Sequence, residues 1–278
     1  MKKLLIIAGA GTYPALVLRG AKAAGVETVD VMAVKGSCAW STARAADHSF
    51  AFAAGESDKA IEWAAKAGYE GAILAGQVSP MSLFRGKFDA VVRGWLKAMP
   101  VKNAHTIFGR LVNEFEKAGV KILPASSYME ASLPGAGVLT QRTPTAEERD
   151  DIRRGFQVAA DVGRHDVGQT VLVKSGMVLA VEAFEGTNAA IKRAGKLSKG
   201  SVLCKAAREG HDWRFDIPVV GIKTLKRMKK SGVTALAFQA GRQLLLDREE
   251  VLSFANRHSI AILGVESGLP PAPTRPEL

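Results

Sequence analysis

Short apolar runs separated by stretches of helix length constrain this chain more than any other feature. Leu4–Ala8 is wholly apolar, as a strand buried on both faces of a parallel sheet must be. The turn Gly9-Ala10-Gly11-Thr12-Tyr13-Pro14 follows, then a predicted helix to about Ala24, with Pro14 tolerated in its first turn. Thr28–Val34, His48–Phe52 and Gly71–Ala75 read as further strands, and Ser57 is placed to cap a helix to Lys66. A helix is expected over His105–Ala118 and a strand at Val120–Leu123. Repeated strand–helix–strand units predict a Rossmann-like parallel sheet with helices on both faces.

The second half has another texture. Breakers crowd Leu133-Pro134-Gly135-Ala136-Gly137, and Thr145-Ala146-Glu147-Glu148 has capping-box spacing at the head of a helix to about Val162. Thr170–Lys174 and Met177–Phe184 read as a hairpin, followed by a helix over Thr187–Ala194. Val202–Lys205, Pro218–Gly221, Ala235–Gln239, Leu244–Asp247 and Ala261–Gly264 are further strands, with helices over Ile222–Lys230 and Arg248–Arg257. The expected organisation is an N-terminal α/β domain over 1–132, a linker over 133–143 and a C-terminal mixed α/β domain over 144–278, the end of which, Pro270-Pro271-Ala272-Pro273, is expected to fray.

The 278 residues are 47% hydrophobic and 23% charged, which excludes a disordered chain. Two cysteines, Cys38 and Cys204, exclude a disulfide scaffold and a four-thiolate zinc site. No apolar run reaches the roughly 20 residues of a membrane span. The short run after Met1-Lys2-Lys3 reads as a strand rather than a signal peptide, so a cytoplasmic location is expected. The net charge of +11 favours anionic partners: nucleic acid, an acidic membrane surface or phosphorylated small molecules. Only 6% of residues are aromatic, and none interleave with basic residues as in a single-strand binder. The cluster Lys223, Lys226, Arg227, Lys229 and Lys230 reads as a solvated helix face or, alternatively, a membrane-surface contact.

Three segments can carry chemistry. The first is the turn at Gly9, Gly11 and Thr12, where a strand-to-helix turn aims amides at an anion; the alternative is a tight turn with no ligand. Pro14 replaces the third glycine of a dinucleotide fingerprint, no Gly-Lys-Ser/Thr follows, and no acid closes the second strand, so NAD is disfavoured. The second is Glu182-Ala183-Phe184-Glu185-Gly186-Thr187-Asn188. Its carboxylates suit a hard divalent ion and its amides a phosphate, the alternative being a plain helix cap at Thr187. The third is His211-Asp212-Trp213-Arg214-Phe215-Asp216-Ile217-Pro218. As a strand it sets Asp212, Arg214 and Asp216 on one face, with the two Asp Cα atoms about 13 Å apart at roughly 3.3 Å per residue. As a turn it brings them together. Carboxylates, a guanidinium and an imidazole, with Lys205 and Arg208 upstream, suit phosphoryl chemistry; the alternative is a surface ion-pair run. Cys204 reads as a core thiol, and His48, His105, His165 and His258 have no metal-ligand spacing.

In this order, Ile6-Ile7-Ala8-Gly9-Ala10-Gly11, Asp166-Val167-Gly168-Gln169, Leu179–Thr187, Asp212–Gly221 and Asp247-Arg248-Glu249 resemble the LpxI type of UDP-2,3-diacylglucosamine pyrophosphatase over nearly the whole length. The resemblance implies a peripheral enzyme of lipid A biosynthesis at the inner face of the cytoplasmic membrane. It implies hydrolysis of UDP-2,3-diacylglucosamine to UMP and 2,3-diacylglucosamine 1-phosphate with Mg²⁺ or another divalent ion such as Mn²⁺. It further implies two domains enclosing the lipid product, and a homodimer; no nucleic-acid partner is expected. Asp212 and Asp216 match the family's Asp-x-Arg-x-Asp run, one of them its essential acid, and Glu182, Glu185 and Thr187 match its Glu-Ala-x-Glu-Gly-Thr run. The expected site is therefore Asp212, Asp216, Arg214 and Lys205 for catalysis, and Asp212, Asp216, Glu182 and Glu185 for metal. Gly9, Gly11, Thr12, Gly186, Thr187 and Asn188 are expected to bind substrate. Asn188, His211, Gln77 and the Gly9-Ala10-Gly11 turn depart from the family pattern. The rival readings are a metal-dependent hydrolase of another nucleotide-sugar or phosphoester, and a non-catalytic anion- or nucleic-acid-binding module.

Overall fold

The computed structural model describes residues 1–53, 55–77, 90–99, 104–208, 210 and 212–267, with backbone only for residues 90, 91, 96 and 104. The chain is α/β and forms two compact units: Met1–Glu130 together with Asp212–Asp216, and a second unit that starts at Ala131 and takes up the chain again at Ile217. The second unit therefore differs from the expected C-terminal domain over 144–278 in beginning at Ala131 and in lacking Asp212–Asp216, which packs with the first unit.

In the first unit the strands β1 (Lys3–Ala8), β2 (Thr28–Val34), β3 (Ser49–Phe52) and β4 (Gly71–Ala75) form one sheet in the order β3-β2-β1-β4. All its pairings are parallel, with Ile6 opposite Val31 on one side and Ile73 on the other. Leu4, Leu5, Ile6 and Ala8 are buried, which is why this run is apolar throughout. Helix α1 (Tyr13–Ala23) buries Val17, Leu18 and Ala21 and packs on β1 and β2. A second cluster joins Leu5, Met32 and Leu74 of the sheet to Ala60, Ile61 and Ala64 of α3 (Ser57–Lys66). It also takes in Val112 and Phe115 of α5 (Ala104–Lys117).

The differences from expectation are local. Ser57 opens α3 and Glu56 stands at its cap position without a side-chain cap. Val120–Leu123 yields only a bridge between Ala72 and Ile122, because the next donor in register, the Ala125 amide, goes to the Trp213 carbonyl and not to β4. Two helices were not expected: α2 (Trp40–Ala45), too short to show a period, and α4 (Ala90–Ala98).

The second unit is built on a mixed sheet. Its strands are β5 (Gly137–Val138), β6 (Thr170–Lys174), β7 (Met177–Val181), β8 (Ser201–Lys205), β10 (Val233–Gln239) and β12 (Ala261–Val265), in the order β5-β12-β10-β8-β6-β7. The hairpin is present as the antiparallel pair β6–β7. A separate parallel pair joins β9 (Val219–Val220) to β11 (Leu244–Leu245). Helix α6 (Ala146–Arg164) covers one face, with Ile152 and Ala159 against Val171, Val202 and Cys204. The other face carries α7 (Thr187–Leu197), α8 (Ile222–Ser231) and α9 (Arg248–Arg257) around Leu172, Leu203, Leu236 and Phe238.

The capping box forms as the spacing predicts: the Glu148 amide donates to Thr145 Oγ1 at 3.1 Å and the Thr145 amide to Glu148 Oε2 at 2.9 Å. Glu148 also accepts from both Arg142 Nη atoms, at 2.8 and 2.7 Å, and from Thr234 Oγ1 at 2.6 Å. Burial alone raises this carboxyl, but the hydrogen bonds from Arg142, Thr234 and the Thr145 amide outweigh it and bring it to about 2. The segment expected as a free linker, 133–143, is thus part of the second unit: β5 pairs antiparallel with β12, and Arg142 ties it to β10 through Glu148 and the Thr234 carbonyl.

Candidate active site

In the first unit the acidic segment is a turn, not a strand. The Phe215 and Asp216 amides both donate to the Asp212 carbonyl, at 3.2 and 2.9 Å. The alternation that would set Trp213 and Phe215 opposite the charges is therefore lost, and Arg214 folds back over Asp212. The Arg214 amide and Nε donate to Asp212 Oδ1 at 3.1 and 2.9 Å, and Nη2 to Oδ2 at 2.7 Å. Nη1 reaches Glu116 Oε2 on α5 at 2.7 Å. The Ala125 amide donates to the Trp213 carbonyl at 2.6 Å. Partial burial raises the Asp212 carboxyl, but the Arg214 hydrogen bonds and charge more than offset this and hold it below its ordinary value. Asp212 in turn raises the guanidinium of Arg214.

Beneath this turn the first unit holds a cavity of about 260 Å³, a little under the roughly 300–1,000 Å³ of pockets for drug-sized ligands. It lies at the carboxyl ends of β1–β4, where parallel α/β sheets bind ligands, and its walls include Ile7, Leu74, Trp95, Phe108, Leu111 and Phe215. The Phe215 ring stacks on Phe108 at 6.2 Å and tilts against His105 at 5.3 Å. One short turn therefore carries Asp212, Arg214 and Asp216 and also contributes an aromatic ring to an apolar wall. Hydrophobic residues of α5 such as Phe108 and Leu111 carried no signal in the sequence beyond that of a core helix.

At Gly9 the glycine turn follows the alternative of a tight turn. The Gly9 amide donates to the Ala75 carbonyl at 2.8 Å, and Ala10 and Gln77 exchange backbone hydrogen bonds at 2.8 and 2.9 Å. A Cβ on Gly9 would lie 2.7 Å from the Gln77 carbonyl oxygen, and one on Gly76 2.7 Å from that of Ala10. These glycines let two strand ends touch, so the Gly9 amide does not face an anion. Gly11 takes φ +97°, and Thr12 is helical without a side-chain cap.

In the second unit Glu182, Thr187, Thr170 and Lys205 meet at the head of α7. Thr187 Oγ1 donates to Glu182 Oε1 at 3.0 Å, accepts from Lys205 Nζ at 3.0 Å and lies 3.3 Å from Thr170 Oγ1. Gly186, at φ +82°, is the cap residue, so the Thr187 side chain serves this cluster and not the helix end. Glu182 is 8% exposed and Lys205 4%. Glu182 Oε2 is buried without a hydrogen-bond partner. Glu185 instead pairs with Arg193 at 2.6 Å, Asn188 is exposed, and Arg208 pairs with Asp166. Cys204 is a buried core thiol, raised by desolvation.

Of the expected metal set, Asp212 and Asp216 belong to the first unit and Glu182 and Glu185 to the second; among the described residues no group of three or more His, Cys, Asp or Glu side chains is placed to hold an ion. Asp212 is engaged by Arg214 and Glu185 by Arg193. In kind the donors fit a hard cation, since all are carboxylate oxygens and Glu182 Oε2 lacks a partner.

Residues 3–132 match the family model of the LpxI N-terminal domain and residues 135–263 that of the LpxI C-terminal domain. The chain belongs to the LpxI family. A relative in this family, the UDP-2,3-diacylglucosamine pyrophosphatase LpxI of Caulobacter vibrioides (strain ATCC 19089 / CIP 103742 / CB 15), is 33% identical over 285 residues, covering 96% of this chain and 98% of that protein. The biotin carboxylase domain of Hydrogenobacter thermophilus 2-oxoglutarate carboxylase aligns with 70% of this chain and 41% of its own, at 11% identity and a TM-score of 0.30. A second structure of a thermophilic 2-oxoglutarate carboxylase domain aligns at 10% identity and a TM-score of 0.28. Both likenesses are too slight to carry an argument. Of the departures from the LpxI pattern, Gln77 bridges Ala10 through its backbone, Asn188 lies on the outer face of α7, and His211 and Pro270-Pro271-Ala272-Pro273 lie outside the described residues.

Proposed function

We propose that this chain hydrolyses the pyrophosphate bond of UDP-2,3-diacylglucosamine in lipid A biosynthesis, releasing UMP and 2,3-diacylglucosamine 1-phosphate. The observation that carries the reading is the Asp212–Asp216 turn: phosphoryl-type side chains and an apolar cavity share five residues of one unit. A substrate with both a pyrophosphate and acyl chains needs that combination. In the reaction a water oxygen bonds to one phosphorus, the bridging P–O bond breaks, and its electron pair leaves with the departing phosphate.

Asp216, in the same turn as the Asp212–Arg214 pair, is proposed as the carboxylate that orients the water or accepts its proton. Arg214, held between Asp212 and Glu116, orders the turn. In the second unit Lys205 and Thr187, with the Asn188 amide at the head of α7, are proposed as phosphate contacts, the Gly186 amide being taken by the Ala183 carbonyl at 3.1 Å. A divalent ion, Mg²⁺ or Mn²⁺, is part of the proposal, with Glu182, whose Oε2 is buried without a partner, as the carboxylate of the second unit that would hold it. Bound, it would neutralise phosphate charge and acidify water.

Among the described residues no helix is long and apolar enough to cross a membrane. A peripheral contact with anionic lipid on the cytoplasmic side is supported by α8, which exposes Lys223, Lys226, Lys229 and Lys230 and has no acidic residue. A homodimer completes the reading. The test is UMP release from UDP-2,3-diacylglucosamine by the purified chain with Mg²⁺, with and without chelator. Chelator-sensitive release is expected. Absence of release at any metal concentration would overturn the activity, and full release in chelator would remove the ion from it.

A further inference from the structure

Phe215 stands between the two aspartates in sequence but faces away from their chemistry. Its backbone belongs to the turn through the Phe215 and Asp216 amides on the Asp212 carbonyl. Its ring belongs to the cavity wall, against Phe108 and His105 on α5. The polar side of the turn is tied down by Glu116 and Ala125. On the apolar side the ring borders the cavity of about 260 Å³. An alkyl chain in the cavity would pack on this ring and hold it, and with it the turn whose Phe215 amide meets the Asp212 carbonyl.

We propose that Phe215 is a positioning residue: an acyl chain lying in the cavity fixes the Asp212–Asp216 turn, so that chain length enters turnover and not binding alone. This rests on the pyrophosphatase reading. The physical principle is that binding energy from a part of the substrate remote from the reacting bond is used to order the catalytic groups, so truncated substrates lose kcat as well as affinity.

Two measurements test it. The first is hydrogen exchange of the peptide covering residues 212–216, with and without sodium decanoate below its micelle concentration, in the wild type, Phe215→Leu and Phe215→Ala. Decanoate is expected to slow exchange several-fold in the wild type, less in Phe215→Leu and not at all in Phe215→Ala. The second is kcat and KM for UMP release from substrates with tetradecanoyl, octanoyl and no acyl groups. Wild-type kcat should fall between about tenfold and about 100-fold as the chains shorten, the scale of a misplaced catalytic group. Phe215→Ala should show a uniformly low kcat that ignores chain length, and Phe215→Leu should recover part of the dependence.

Unchanged exchange in the wild type, or a chain-length effect confined to KM, overturns the role of Phe215 while leaving the pyrophosphatase reading intact. Slowed exchange without UMP release from any substrate leaves the coupling standing and overturns the reading on which its catalytic meaning rests. Should Phe215→Ala fail to fold, the wild type and Phe215→Leu decide both questions.

Discussion

The two units each hold a candidate carboxylate, and the two are arranged in opposite ways. Asp212 in the first unit is saturated: three donors from Arg214 occupy both its oxygens. Glu182 in the second is half-satisfied, with Oε1 on Thr187 and Oε2 buried without a partner. A saturated carboxylate is already in its lowest electrostatic state and serves to hold structure. A buried oxygen without a donor is destabilising until a ligand supplies one. The lesson is that acidity in a motif does not by itself mark the reacting group; its hydrogen-bond state sorts organisers from acceptors.

The sharpest way to test what a tied carboxylate does is to neutralise the two aspartates of the first unit's turn one at a time. Asp216→Asn is expected to lower UMP release by about 10²–10⁴-fold, the usual range for a general acid or base. Asp212→Asn should cost only about tenfold, as loss of an organiser (about 1.4 kcal/mol on the barrier). The reverse ranking would sink the assignment.

The half-satisfied cluster is tested by Thr187→Val, which keeps the shape and removes the hydroxyl between Lys205 and Glu182. With the buried Glu182 left without its Thr187 donor, urea unfolding should report a loss of about 1–3 kcal/mol. No loss would mean the cluster is not closed in solution.

Glu148 supplies a saturated carboxylate within the second unit for contrast. Its carboxyl lies at about 2 in the folded chain, against 4.5 for an ordinary glutamate. A depressed value stabilises the fold above the ordinary value, and the contribution is lost as pH falls from about 4.5 towards about 2. The urea midpoint should therefore drop across that window, and Glu148→Gln should flatten the drop. The smallest effect expected is for Thr145→Ala, which removes one half of the capping box and should cost about 1 kcal/mol in the same assay.

The sequence shows β1 and β4 of the first unit because they are buried on both faces and so are apolar without interruption, at Leu4–Ala8 and Gly71–Ala75. It shows the start of α6 because a capping box is a contact between residues three apart. Strand β5 was hidden because Gly137–Val138 gains its identity from β12, far along the chain. The acidic turn was half visible. Its residues stood out, but the choice between strand and turn depended on a guanidinium reaching Glu116, 98 positions away. The cavity was not legible, since a residue lining a void and one filling a core obey the same helical period.

The lodging of Asp212–Asp216 in the first unit has a consequence for how this protein is made. A nascent chain emerges at roughly 5–20 residues per second and its domains tend to fold as they appear. The N-terminal sheet, though complete in its strands by Ala75, must wait for translation to pass Asp216 before its last side chains arrive. Until then the hollow beside Trp95 and Phe108 lacks its Phe215 wall, a sticky opening at the moment when chaperones meet the chain. Expressing residues 1–132 as a separate fragment would make that transient state permanent.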